Sequence, residues 1–128
     1  MYLCEWLEDQ HGQRTPQVGL IPGGTRMTTR LQQFGYAEAT FLHDTFFGPS
    51  KTTVRGHRFH YSVYEPGARP LPCAYHITRA STGETSLEGF VRDQVLATYL
   101  HVHLGSQPAM AEAFVERCRR QRDASRTP

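Results

Sequence analysis

The stretch Glu88-Gly89-Phe90-Val91-Arg92-Asp93-Gln94-Val95-Leu96-Ala97-Thr98-Tyr99 reads as two short strands or one broken strand, and it ends at Leu100-His101-Val102-His103. Its apolar run, Val95 to Leu100, suits a buried central strand of a sheet covered on both faces. Downstream, Pro108 fits the first turn of a helix, with Ser106 or Gln107 before it as the cap. Met110, Ala113, Phe114, Val115 and Cys118 form that helix's apolar stripe, opposite Glu112, Glu116 and Arg119.

Upstream, Ala74 to Arg79 has strand character, and Glu65 to Pro72 holds three prolines and a glycine, which make it a loop. Thr52 to Tyr64 carries Val54, Phe59, Tyr61, Val63 and Tyr64, the β-branched and aromatic types that fit a pleated surface. Gly48-Pro49-Ser50 is a turn, and Gly35 to Phe41 before it is a further strand. Gln17 to Ile21 reads as a strand that stops at Pro22-Gly23-Gly24, a turn no regular element is expected to cross. Leu3, Trp6 and Leu7 stand at helical spacing with Gly12 as a stop, so the first ten residues are expected to be the remnant of a helix. The whole predicts a mixed α/β sheet with flanking helices. Mostly β connections through the middle argue against a complete doubly wound domain, in which strand and helix alternate throughout.

At 128 residues the chain is long enough for one domain with a real core. Apolar residues at 38% and charged residues at 20% exclude compositional disorder. The apolar runs fall far short of the roughly 20 residues of a membrane span, and the acidic opening, with Glu5, Glu8 and Asp9, is unlike a secretory signal. A formal charge of +2 is too small to argue for nucleic acid or membrane partners. The basic cluster at Arg117, Arg119, Arg120, Arg122 and Arg126 reads as a solvated helix end. Cys4, Cys73 and Cys118 match no disulfide framework or zinc spacing, which fits a reducing cytoplasm.

His101-Val102-His103 is the sharpest chemical signal, because alternate residues of a strand share a face. Spacing alone leaves three readings open: a metal pair, an acid/base histidine, or hydrogen-bonded structural histidines. In Arg55-Gly56-His57-Arg58-Phe59-His60-Tyr61-Ser62, alternation puts His57 and His60 on opposite faces and leaves two readings open: His60 meets a polar substrate, or the segment is a half-exposed strand with polar residues outward. The glycines of Gly19 to Thr28 have neither the spacing nor the lysine of a nucleotide loop. Cys4 reads as a buried thiol rather than a nucleophile.

Three segments together resemble the C-terminal part of the cobyrinate a,c-diamide synthase family, glutamine amidotransferases of corrinoid synthesis. They are Val18 to Gly23 continuing through Met27-Thr28-Thr29-Arg30-Leu31-Gln32-Gln33-Phe34-Gly35-Tyr36, then Arg55 to Ser62, then Glu88-Gly89-Phe90 through Thr98-Tyr99-Leu100-His101-Val102-His103-Leu104. The resemblance runs from residue 1 to about 120. It implies that residues 1–128 are the C-terminal part of a class I glutamine amidotransferase-like (flavodoxin-like) domain. The family's ATP-dependent synthetase domain and its nucleophile turn, similar to Cys-Gly-Gly-x-Met-Tyr-Leu, would precede Met1-Tyr2-Leu3.

By the same resemblance the family histidine falls on His101, as the catalytic base, and His60 is expected as a substrate-binding residue at the interface where ammonia and the corrinoid carboxylate meet. Many related glutaminases have Glu where this chain has His103, so a Cys-His dyad is expected in place of a carboxylate-assisted triad. No cofactor or metal is expected in this chain. ATP and magnesium belong to the complete enzyme, with glutamine and a corrinoid as substrates and a homo-oligomer as the assembly. The chain alone is expected to be inactive. Two alternatives remain: a non-catalytic small-molecule binding or interaction domain, and a metal enzyme using His101 and His103.

Overall fold

The computed structural model describes residues 1–126. Ten strands form two sheets: β1 (Cys4–Glu8), β2 (Arg14–Pro16), β3 (Ile21–Met27), β4 (Gln33–Phe41), β5 (Thr53–His60), β6 (Ser62–Pro66), β7 (Cys73–Arg79), β8 (Thr85–Arg92), β9 (Val95–Ala97) and β10 (Leu100–Val102). A 3-10 turn at Leu104–Ser106 leads into α1 (Pro108–Ala124). The mixed α/β class expected from the pattern stands. One sheet is mixed, with β1 and β3 parallel and the other pairings antiparallel, and one α-helix lies among the described residues.

The larger sheet has the order β10-β5-β4-β7-β8-β9 and is antiparallel throughout. Alternation on β4 sends Ala37, Ala39 and Phe41 inward, where they pack with Val54, Tyr75, Ile77, Leu100 and Met110. Phe34 and Tyr36 point to the other face and stay exposed. Val95 to Leu100, expected as one buried central strand, is instead divided between the two edges of this sheet. The first half is edge strand β9, half-buried, and Leu100 opens the opposite edge strand β10. Asp93, at φ 52°, is in the turn that folds β9 back on β8. Only Thr98 and Tyr99 separate the two edges, so the sheet coils until its ends nearly meet.

The smaller sheet, β2-β1-β3-β6, corrects two further expectations. Residues 4–8 are a strand, not a helix remnant, because their partners lie elsewhere in the chain: β1 pairs with β2 and with β3. Asp9 accepts the His11 and Gln13 amides on one carboxylate oxygen, at 2.8 and 2.9 Å, which turns the chain back toward β2. The second correction concerns Pro22-Gly23-Gly24, which lies inside β3. Trp6 lies where a Gly24 side chain would be, with a ring carbon 2.1 Å from the Cβ position, so the strand passes only because residue 24 is glycine. β3 also begins at Ile21 rather than Gln17, and β6 runs on through Pro66 into the proline-rich segment.

Helix α1 starts where expected but docks less. Its first turn buries Met110, and Phe114 stacks on Phe47 with ring centres 5.8 Å apart, while Phe114 and Val115 stay nearly half exposed and Cys118 exposed. Neither suggested cap makes a side-chain bond to the helix. The Ser106 hydroxyl accepts the Arg55 amide at 3.0 Å and so ties the helix approach to β5.

Candidate functional site

Strand β5 presents different chemistry on its two faces. Val54, Gly56, Arg58 and His60 face inward, and Arg55, His57 and Phe59 face outward. The register of β10 sets Leu100 opposite Arg58 and His101 opposite His57. His101 therefore shares the outer face with His57 and with Tyr36, which pairs with His57 from the other side. Its close approach depends on Gly56: a Cβ there would stand 2.4 Å from the His101 carbonyl oxygen. The His101 ring is exposed, and its Nδ1 lies 2.9 Å from the Tyr99 carbonyl oxygen. A carbonyl only accepts, so Nδ1 carries the proton and Nε2 keeps a basic lone pair.

His60 is on the inner face. Its Nδ1 donates to the Ser62 carbonyl at 2.8 Å, and its ring stacks on Tyr99 with centres 4.1 Å apart. The Tyr99 hydroxyl is 2.7 Å from Ser62 Oγ. Burial holds the His60 pKa below its ordinary value; the Ser62 carbonyl works the other way, and the charges of Arg58 and His101 add to the depression. His60 Nε2 is buried without a hydrogen-bond partner, and the residue is one of those that line a cavity of about 510 Å³ between the two sheets.

The structure keeps the two candidate histidines on opposite faces of one sheet and joins them through Tyr99, whose ring packs on His60 and whose carbonyl holds His101. His57 and His60 are split as alternation predicts. His103 is exposed, with its amide bonded to the Arg55 carbonyl at 2.9 Å and its ring over Gly105. Among the described residues no group of three or more His, Cys, Asp or Glu gathers to hold a metal ion. Cys4 is buried, and burial pushes its thiol pKa up, away from a nucleophile's. The Gly23 amide donates to Glu5 Oε2 at 2.9 Å, so these glycines of β3 meet a carboxylate where a phosphate cradle would offer free N–H groups.

Sequence reasoning missed Arg58, Tyr99 and Thr25 as parts of this region. Arg58 was findable, two residues before His60 and so on the same face. Thr25 was not, because it arrives from another sheet.

No described helix is long and apolar enough to cross a membrane. A family model described as the CobB/CobQ-like glutamine amidotransferase domain matches residues 1–109. A cobyrinate a,c-diamide synthase of Syntrophotalea carbinolica is 39% identical over 121 residues, 93% of this chain and 26% of that protein. A hydrogenobyrinate a,c-diamide synthase of Streptomyces coelicolor is 38% identical over 119 residues, 93% of this chain and 22% of that protein. A cobyrinate a,c-diamide synthase of Listeria monocytogenes is 39% identical over 113 residues, 86% and 24% of the two chains. The chain thus spans about a quarter of the length of these relatives.

Proposed function

The chain belongs to the CobB/CobQ-like glutamine amidotransferase domain family, and from that premise we propose that it is the glutaminase part of an enzyme that amidates corrinoid carboxylates with glutamine-derived ammonia. Carboxylate activation by ATP and magnesium belongs to the synthetase portion in this reading. The glycines of β3 offer no cradle for a phosphate, since the Gly23 amide already donates to Glu5.

The observation that carries the proposal is the 2.9 Å approach of His101 Nδ1 to the Tyr99 carbonyl oxygen. With Nδ1–H bonded to the Tyr99 carbonyl, Nε2 is free to take a proton from a cysteine thiol brought to the outer face. The thiolate attacks the glutamine carboxamide carbon, and the imidazolium returns its proton to the departing ammonia. The orienting group is a backbone carbonyl, so the pair works as a Cys-His dyad, and His103 has no part in proton transfer. The Tyr99 carbonyl fixes the ring without supplying a negative charge to stabilise the imidazolium. His60, on the cavity side, contributes to substrate binding.

The test uses a chimaera in which the upstream part of the Syntrophotalea carbinolica relative is joined to this chain. His101→Ala is expected to lower glutamine-dependent amidation by roughly two to four orders of magnitude, the range of a general acid/base group. Amidation with added ammonium survives, and His103→Ala changes little. If His101→Ala leaves glutamine use intact, or removes ammonium use to the same degree, the assignment is wrong.

A further inference from the structure

The carbonyl that orients His101 is one link of a longer chain of hydrogen bonds. The Tyr99 carbonyl and the Leu100 amide form one peptide group, and both ends of that group are engaged. The carbonyl accepts His101 Nδ1–H at 2.9 Å, and the Leu100 N–H donates to Thr98 Oγ1 at 2.9 Å. The Thr98 hydroxyl in turn donates to Glu88, at 3.0 Å to Oε1 and 3.3 Å to Oε2. A peptide N–H only donates, and a carbonyl or a carboxylate only accepts, so every link points the same way, from the imidazole to the carboxylate.

The strand pairings put Glu88 at the end of this chain. In the β8–β9 hairpin Phe90 stands opposite Ala97, and the same register continued by two residues sets Glu88 beside Tyr99. Glu88 Oε1 also accepts the Tyr99 amide at 2.6 Å, which clamps the corner from which β10 departs. Along β10 the His103 amide bonds to Arg55, so the alternation of an antiparallel ladder turns the Leu100 N–H away from β5, where Thr98 accepts it. No ion pair among the described residues involves Glu88. The Tyr99 carbonyl is neutral in itself, but hydrogen bonds in series polarise one another, and this series ends on a negative charge.

We propose that Glu88 is the carboxylate that supports His101, acting through the Thr98 hydroxyl and the Tyr99–Leu100 peptide group. Glu88 and Thr98 are positioning residues: neither touches the reacting atoms, and no proton travels along the series. The relay keeps the proton on Nδ1, leaves Nε2 as the base, and favours the imidazolium once Nε2 has taken the thiol proton. It does from β8 what the Glu of related triads does from the position that His103 occupies here. The effect on turnover rests on the amidotransferase reading; the relay itself does not.

The experiment has two arms. In the purified chain, nitrogen NMR of the imidazole rings in alkaline buffer reads which ring nitrogen of His101 carries the proton. The parent and Thr98→Ser should show the Nδ1–H form, and Thr98→Val should move the ring toward Nε2–H. In the chimaera, Glu88→Gln and Thr98→Val should each lower kcat with glutamine by about tenfold, the scale of one charge-assisted hydrogen bond. KM and ammonium use should hold, Thr98→Ser should stay near the parent, and the acid limb of the pH–rate profile should move to lower pH as the imidazolium loses its negative support. An unchanged ring in Thr98→Val, parent-like kinetics in Glu88→Gln, or an equal loss of ammonium use would overturn the proposal. So would an effect of Glu88→Gln that Thr98→Val does not reproduce, because the charge would then act through space. Thr98 is exposed, so its two variants disturb no core packing and decide the matter even if Glu88→Gln does not fold. If His101→Ala leaves glutamine use intact while the ring follows Thr98, the base assignment fails and the relay stands.

Discussion

Tyr99 serves two histidines with two different groups, its ring for His60 and its carbonyl for His101, because it sits in the dipeptide that joins the two sheet edges. The environment of His60 has a consequence for pH. Its proton is held less well in the folded chain than at the ordinary value of 6.5 in the unfolded one, because burial disfavours the imidazolium and the charges of Arg58 and His101 add to this. The unfolded state therefore binds more protons as pH falls through that value, and stability present above it is progressively lost. Glu88, the carboxylate of the same cavity wall, is held by Tyr99 and Thr98 and leaves the ring without an anionic partner. Asp9 is also depressed, chiefly by the Gln13 and His11 amides, but its contribution is lost only below 3.8, beneath the His60 window. Melting temperatures followed from neutrality to about pH 5 should decline less steeply in His60→Gln than in the parent chain; parallel curves would show that His60 does not set the slope.

At the scale of elements, the placement of His101 depends on β10, a strand of three residues paired only with β5. So short an edge holds its position through the Arg55 carbonyl bond to His103, the Ser106 hydroxyl on the Arg55 amide, and the room left by Gly56. Gly56→Ala would push a methyl group into the His101 carbonyl, and overpacking of this kind costs roughly 1–3 kcal/mol. The expected result is that loss of stability in chemical denaturation, together with faster exchange of the His103 amide, which reports the β10 end of the pairing. Unchanged exchange would mean that β10 is held in place by other contacts.

At the scale of the molecule, the outer face of β4 and β5 carries a continuous patch of rings. Phe34 and Tyr36 each meet His57 at 5.4 Å between ring centres, Phe34 meets Phe59 at 6.0 Å, and Phe59 meets Tyr61 at 5.8 Å. Tyr36 is 75% exposed and Phe34 63%. An exposed apolar patch of this kind favours association, which is a physical reason to expect a homo-oligomer. Light scattering across a range of concentrations should give a mass that rises above that of one chain, and the double substitution Tyr36→Ser with Phe59→Ser should lower it. A single-chain mass at every concentration would overturn the expectation of a homo-oligomer.

The amino-acid order by itself determined the strands that hold Ala39, Val54 and Ile77, the helix from Pro108, the split of His57 from His60, and the family, because alternation, proline and short motifs are local properties. Only the tertiary structure decided three other things. Residues 4–8 became a strand because β3 offered them a parallel partner, with Gly24 leaving space for Trp6. The apolar run 95–100 was divided between two edges because the sheet coils back toward itself, and the lining of a coiled sheet is shared among many strands rather than concentrated in one. The cavity was invisible for the same reason. Thr25, Arg58 and Tyr99 lie 33 and 41 residues apart in the chain, and what brings their side chains to one space is the packing of two sheets, a long-range contact that no local pattern encodes.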